Sequence, residues 1–156
     1  MIILGIDPGL NSTGFGLIKA EANTIEYIVA GVIKTSVDQS FYKRIQIIVT
    51  GVQTVINTYK PDIAAIEKVF VNVNPKSTLL LGQARGAAIS ACAICDVEAL
   101  EYTALQVKKT VTGYGHASKE QIQKMVAMLL KLNKPPKSDA ADALAVAITH
   151  SFINKY

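Results

Sequence analysis

The sequence predicts an α/β domain: a mixed sheet flanked by helices. Three observations predict it. The first three elements read as β, strand and helix patterns alternate after them, and half of the 156 residues are hydrophobic while only 18% are charged. A chain of this length and composition is expected to form a single domain over residues 1–156 and to bury a substantial core, which excludes a disordered tail protein. The apolar run 86–95 is about half the 18 or more residues that a membrane helix needs. Asp7 precedes any hydrophobic region and no basic segment leads it, so neither a signal nor a transit peptide is expected. The protein is therefore assigned to the cytoplasm with no membrane partner.

Residues 2 to 6, Ile-Ile-Leu-Gly-Ile, form an apolar run that meets Asp7-Pro8-Gly9, a turn signal, and so predict a central strand with an acid at its C-terminal edge. Segments 12–19 and 25–34 are rich in β-branched and aromatic residues and continue as a meander. From Ser40 to Lys60, Phe41, Ile45, Ile48, Val52, Val55, Ile56 and Tyr59 recur at spacings of three and four, the pattern of an amphipathic helix that Pro61 closes. Residues 62–67 repeat the pattern of a buried strand ending in an acid, Glu67, and a polar loop with Asn72, Asn74, Pro75 and Lys76 follows. A small-residue helix from Ser77 to Cys95, a strand from Val97 to Tyr102 and a short helix from Ala104 to Thr110 lead to the Gly113-Tyr114-Gly115 turn. Ser118 and Gln121 form a capping box for a helix to about Leu132. After Pro135-Pro136, Ser138 is expected to cap a last helix carrying Asp139 and Asp142.

Four acids stand out. Asp7 and Glu67 each end a strand, at the sheet edge where α/β proteins build sites. Asp139 and Asp142, three apart on a helix, share one face with Cβ atoms roughly 5 to 6 Å apart. Each has an ordinary structural explanation alone: a turn opener, a solvated strand end, acids favoured in a first helical turn. Together they could converge on hard divalent cations, which prefer oxygen ligands, and a metal would be the natural counter-charge to such a cluster. The net charge of +4 is also uneven: between Thr103 and Lys137 seven lysines face the single Glu120, a local charge of +6 that leaves −2 for the rest. That bias suits a phosphate backbone, although lysine-rich helix faces are also ordinary solvated surface. Cys92 and Cys95 lack the further ligands of a zinc site and read as small apolar helix residues, and His116 and His150 read as structural or surface residues.

Taken in order, Gly5-Ile6-Asp7-Pro8-Gly9 with Thr13-Gly14-Phe15-Gly16, Ile66-Glu67-Lys68-Val69-Phe70, Leu81-Gly82-Gln83-Ala84-Arg85-Gly86, Val107-Lys108-Lys109-Thr110-Val111-Thr112-Gly113, Lys119 before Gln121-Ile122-Gln123, and Asp139-Ala140-Ala141-Asp142-Ala143-Leu144-Ala145 resemble the RuvC-type Holliday junction resolvases of the ribonuclease H-like fold. The resemblance covers nearly the whole chain. It implies a five-stranded mixed sheet and a structure-specific endonuclease that resolves four-way DNA junctions by paired symmetric nicks in recombination and repair. By the same resemblance Asp7, Glu67, Asp139 and Asp142 would hold two Mg²⁺ ions per subunit, with Mn²⁺ as a substitute, so that no Ser, Cys or His nucleophile is needed. Lys108 and Lys119 would act at the active site, and Phe70, Lys76, Lys108, Lys109 and Lys119 would contact DNA. The implied assembly is a homodimer, using the close-packing helix with Gly82 and Gly86, and the implied partners are the branch-migration proteins RuvA and RuvB.

The sequence departs from the family at Thr78 and Leu80, read as loop positions that replace what are commonly Ala and Lys. Three other readings stand beside the resolvase. A ribonuclease H-like nuclease acting on RNA/DNA hybrids or flaps would share the metal acids. The Asp7-Pro8-Gly9 turn with Gly14 and Gly16 resembles the phosphate loop of actin-like and Hsp70-like ATPases, whose duplicated domain needs more than twice this length. A non-catalytic junction-binding module would lack one of the four acids.

Overall fold

Strands β1 (Ile2–Asp7), β2 (Ser12–Glu21) and β3 (Thr24–Lys34) are followed by helix α1 (Phe41–Tyr59), β4 (Ile63–Lys68), α2 (Pro75–Ile94), β5 (Ala99–Thr103), α3 (Ala104–Thr112), α4 (Lys119–Leu129) and α5 (Ser138–Asn154). This computed structural model describes residues 1–71 and 73–155. Asn72, read from sequence as part of a polar loop, lies outside them. The five strands form one sheet in the order β3-β2-β1-β4-β5. The first three are antiparallel, joined by tight connections, and β4 and β5 add parallel to β1. The mixed α/β architecture expected from sequence is thus the one observed.

Both faces of the sheet are covered. On one, Ile3, Ile18 and Ala65 pack under Val107 and Val111 of α3, Ile122 and Val126 of α4, and Leu144 and Ile148 of α5. On the other, Leu4, Ile6, Leu17 and Ile66 pack against Val52 and Ile56 of α1 and Ala88, Ala91 and Cys92 of α2. Fully burying each such Leu, Ile or Val stabilises the fold by about 1.5–3 kcal/mol. Because β1 and β4 are covered on both faces, they carry no polar alternation, which explains their continuous apolar runs. Helix α5 is buried from Ala143 through His150, so its alanines are a consequence of crossing the centre of the sheet at close range.

Two positions fix that close range. A Cβ on Gly5 would lie 1.9 Å from the Ala143 carbonyl oxygen, and one on Gly14 would lie 2.0 Å from that of Asp139. Only glycine allows the backbones of β1 and β2 to approach α5 so closely. At its far end α5 is pinned by a buried contact, with Tyr102 Oη 2.7 Å from His150 Nδ1. His150 is therefore structural, and burial pushes its pKa below the usual histidine value. His116 is exposed, its ring edge-on to Tyr114. Cys92 is buried and Cys95 half-buried, both as free thiols, in keeping with apolar helix residues.

Three local expectations need correction. Ser138 does not cap α5: the cap is Lys137, whose carbonyl accepts from the Ala141 N–H, so Ser138 already lies inside the first turn and its buried Oγ has no hydrogen-bond partner among the described residues. Helix α2 starts two residues early, at Pro75, because Asn74 caps it by accepting from the Lys76 and Ser77 N–H groups. Thr78 and Leu80 are accordingly helical, and Lys76 sits in the first turn. Helix α4 ends at Leu129, short of Leu132, because Lys131 takes a left-handed conformation at φ 53°.

Candidate metal centre and nucleic-acid interface

The parallel register pairs Ile6 with Ile66, so the next residue on each strand, Asp7 and Glu67, emerges side by side at the C-terminal edge of the sheet. The Gly14 contact brings the first turn of α5 over the same edge, because Gly14 is the register partner of Asp7 and touches Asp139. Asp142 follows one turn on. As a result, one carboxylate oxygen each from Asp7, Asp139 and Asp142 lie within 4.8 Å of one another. Glu67 joins Asp7 and Asp142 in lining a cleft of about 230 Å³, whose other polar walls are Lys108 of α3 and Lys119 of α4.

The electrostatics express that crowding. Burial, reinforced by the charges of Glu67, Asp142 and Asp139 and opposed by Lys119, pushes the Asp7 carboxyl up to about 8. Glu67 is raised by burial and by Asp142, against Lys108, Lys119 and a hydrogen bond from Asp7. Burial also raises Asp142, against the pull of Lys119, whose Nζ stands 3.8 Å from Asp142 Oδ2. Asp139 is oriented by Ser12, whose Oγ donates to Oδ2 at 2.6 Å. Hard oxygen donors gathered this closely fit a divalent cation, since its charge offsets the burial and mutual repulsion that raise Asp7, Glu67 and Asp142.

The six residues expected at the reaction centre therefore meet in one place. Phe70, 58% exposed, lies at an adjoining cleft of about 300 Å³ that shares Asp7 and Glu67 and also takes in Lys68. Lys76 and Lys109 are exposed, on the first turn of α2 and the last of α3, and line neither cleft. Sequence reasoning missed Ser12, which stands 127 residues from the acid it orients. It also missed Lys68, whose only signal was adjacency to Glu67.

A family model described as crossover junction endodeoxyribonuclease RuvC matches residues 3–150. The chain belongs to this family. A RuvC crossover junction endodeoxyribonuclease from Herminiimonas arsenicoxydans is 60% identical over 151 residues, covering 97% of this chain and 83% of that protein. One from Dechloromonas aromatica is 56% identical over 149 residues, with 96% and 83% covered. Among solved structures, Thermus thermophilus RuvC in complex with Holliday junction substrate superposes with a TM-score of 0.93 at 33% identity, over 99% of this chain and 95% of that one. The yeast mitochondrial Holliday junction resolvase Ydc2, at 14% identity and a TM-score of 0.70, shares the fold. Among the described residues, no helix of this RuvC family member is long and apolar enough to cross a membrane.

Proposed function

We propose that the chain is a single nuclease domain, residues 1–156, that resolves four-way Holliday junctions by paired, symmetric phosphodiester hydrolysis in recombination and repair. The observation that carries this reading is the convergence of Asp7, Asp139 and Asp142 within 4.8 Å, beside Glu67 and two lysines in one open cleft, in a member of the RuvC family.

In this reading the four acids hold two Mg²⁺ ions per subunit, and Mn²⁺ substitutes. Held by these acids, such a metal pair would supply the activation of water and the charge stabilisation that an in-line phosphodiester displacement needs. The residues themselves divide the remaining work. Ser12 keeps Asp139 turned toward the other acids through its 2.6 Å hydrogen bond. Lys108 of α3 and Lys119 of α4 line the cleft and hold the scissile phosphate, offsetting charge that builds on its oxygens. Phe70 offers an exposed ring to bases opened at the junction, and Lys76 and Lys109 add backbone affinity that falls with salt.

The substrate has two equivalent strands to cut, which suits a two-fold homodimer. Helix α2 supports this assembly, because a Cβ on Gly82 or Gly86 would meet only open space, leaving a face that a second helix could approach closely. RuvA and RuvB are the expected partners and the cytoplasm the expected compartment.

Incubating the protein with a four-way junction, a matched linear duplex and an RNA/DNA hybrid, each with Mg²⁺ or EDTA, tests this function. Symmetric, Mg²⁺-dependent nicks in the junction alone support it. Cutting of the hybrid instead moves the function to RNA removal, and tight junction binding without cutting reduces it to a binding module.

A further inference from the structure

A third cleft, of about 500 Å³, opens beside Asp139 between β3 and the start of α5. Tyr27, Ala30, Val32 and Lys34 form its sheet wall, and Lys137, Ser138 and Asp139 its helical wall. Lys34 is placed there by register. It pairs with Ser12 across β2 and β3, and directly opposed residues of an antiparallel pair share a face with Cβ atoms about 5 Å apart. Ser12 spends its hydroxyl on Asp139, so Lys34 rises from the sheet beside that same carboxylate. Lys137 is fixed from the other side: its carbonyl accepts from Ala141 N–H at 2.8 Å, and Gln123 Nε2 donates to the neighbouring Pro136 carbonyl at 3.2 Å, tying the loop to α4. Neither lysine takes part in any ion pair found among the described residues. Two lysines outside those ion pairs thus line a preformed cleft that borders the candidate metal centre through a shared residue, Asp139.

We infer that this cleft is a backbone-phosphate subsite, in which Lys34 and Lys137 hold a phosphate of the cut strand that flanks the scissile one. The inference rests on the nuclease reading above. A strand drawn across the four acids must leave the centre on one side of them, and on the Asp139 side the cleft it meets is lined by Lys34 and Lys137. Lys34 and Lys137 are positioning residues: they set where the strand lies and take no part in the displacement.

The test combines Lys34→Gln, Lys137→Gln and the double variant with junctions in which single phosphates near the cut are replaced by neutral methylphosphonates. The readouts are single-turnover cleavage rate at saturation and the protein concentration giving half that rate. The double variant is expected to raise the half-saturating concentration on the order of tenfold, to lower the saturated rate much less, and to make the salt dependence of log affinity shallower by roughly 1.4–1.8. At one or two flanking positions the methylphosphonate should weaken the unaltered protein and leave the double variant unaffected, because the contact it removes is already gone. Lys124→Gln, an exposed α4 lysine outside the cleft, should weaken binding without erasing the effect at any position. Additive losses at every position, or an unchanged half-saturating concentration, would overturn the subsite while leaving the nuclease function intact. An unaltered protein that leaves the junction uncut would instead overturn the function, and the subsite with it.

Discussion

Replacing Asp7 with Asn should make the metal-free protein more stable at alkaline pH while abolishing cleavage. The folded chain holds the Asp7 carboxyl at about 8, against an ordinary value of 3.8. Between those values the folded state keeps a proton that the unfolded state has released, so stability is highest near pH 4, falls as pH rises toward 8, and levels off beyond. Asparagine has the same shape and no charge, and it escapes this loss. At about 1.4 kcal/mol per pKa step the whole difference amounts to about 6 kcal/mol. Residual solvent contact screens part of it, which leaves about 3 kcal/mol in favour of the variant at pH 8.5. For a domain of this size that corresponds to a rise of roughly 6–12 °C in Tm.

The assay is thermal and urea unfolding in EDTA at several pH values from 4 to 8.5, followed by the same series in Mg²⁺. Without metal, the gap between variant and unaltered protein should open with increasing pH. With Mg²⁺ the order should reverse, because a ligand stabilises only the state that binds it and the variant has lost a metal-binding oxygen. A gap that stays flat from pH 4 to 8.5, or a variant less stable than the unaltered protein at pH 8.5 in EDTA, would refute the claim that the fold forces these acids together at a cost that metal relieves.

Lys108→Ala and Lys119→Ala should each reduce the saturated cleavage rate by roughly 10- to 100-fold, whereas Lys131→Ala, farther along the basic segment, should chiefly make the salt slope of junction binding shallower by roughly 1; equal small effects in all three would mean the cleft is misassigned. Gly14→Ala forces a methyl group against the Asp139 carbonyl at 2.0 Å, and since both partners are backbone it should cost about 3 kcal/mol and lower Mg²⁺ affinity by displacing Asp139, measured by Tm and by Mg²⁺ titration of the melting curve. Tyr102→Phe removes the buried hydroxyl facing His150 Nδ1 and should cost about 1–2 kcal/mol of stability with junction cleavage retained; a loss of cleavage at full stability would tie this pin to the chemistry.

The layered fold was legible because its signals are local. β1 and β4 announced themselves as apolar runs ending in acids, and the capping box read at Ser118 with Gln121 is formed as a side-chain and backbone pair. Ser138 misled for a local reason too: a serine ahead of two acids matches a cap in composition, but the cap is a backbone conformation, and Lys137 adopts it one residue earlier. The candidate site was legible only in part. Spacing could place Asp139 and Asp142 on one helical face, but it could not bring that face to Asp7, because the approach depends on Gly5 and Gly14 lying beneath α5. A glycine in a strand reads the same whether a helix or solvent covers it. The resemblance to a family supplied what spacing alone could not, and it was silent on Ser12 and on the Lys34 cleft, which follow from the register of β2 and β3.

The placement of the two cleft lysines also follows from the acids. Lys119 opposes proton retention on Asp7, Glu67 and Asp142, whereas Lys108 acts on Glu67 and Asp142 alone. Lys119 is not bound tightly by what it neutralises: its side chain is 71% exposed and stands 3.8 Å from Asp142, an ion pair worth at most about 1 kcal/mol. A buried, fully hydrogen-bonded lysine would compensate the acids better, but it would compete with a cation for the same oxygens and could not turn to a phosphate. Loosely held ammonium groups on separate helices keep the metal-free cluster from repelling itself apart and give way once another positive charge takes over the carboxylates. In the proposed function, the side chains that moderate the acids without metal would then be free to meet the negative charge of the strand to be cut.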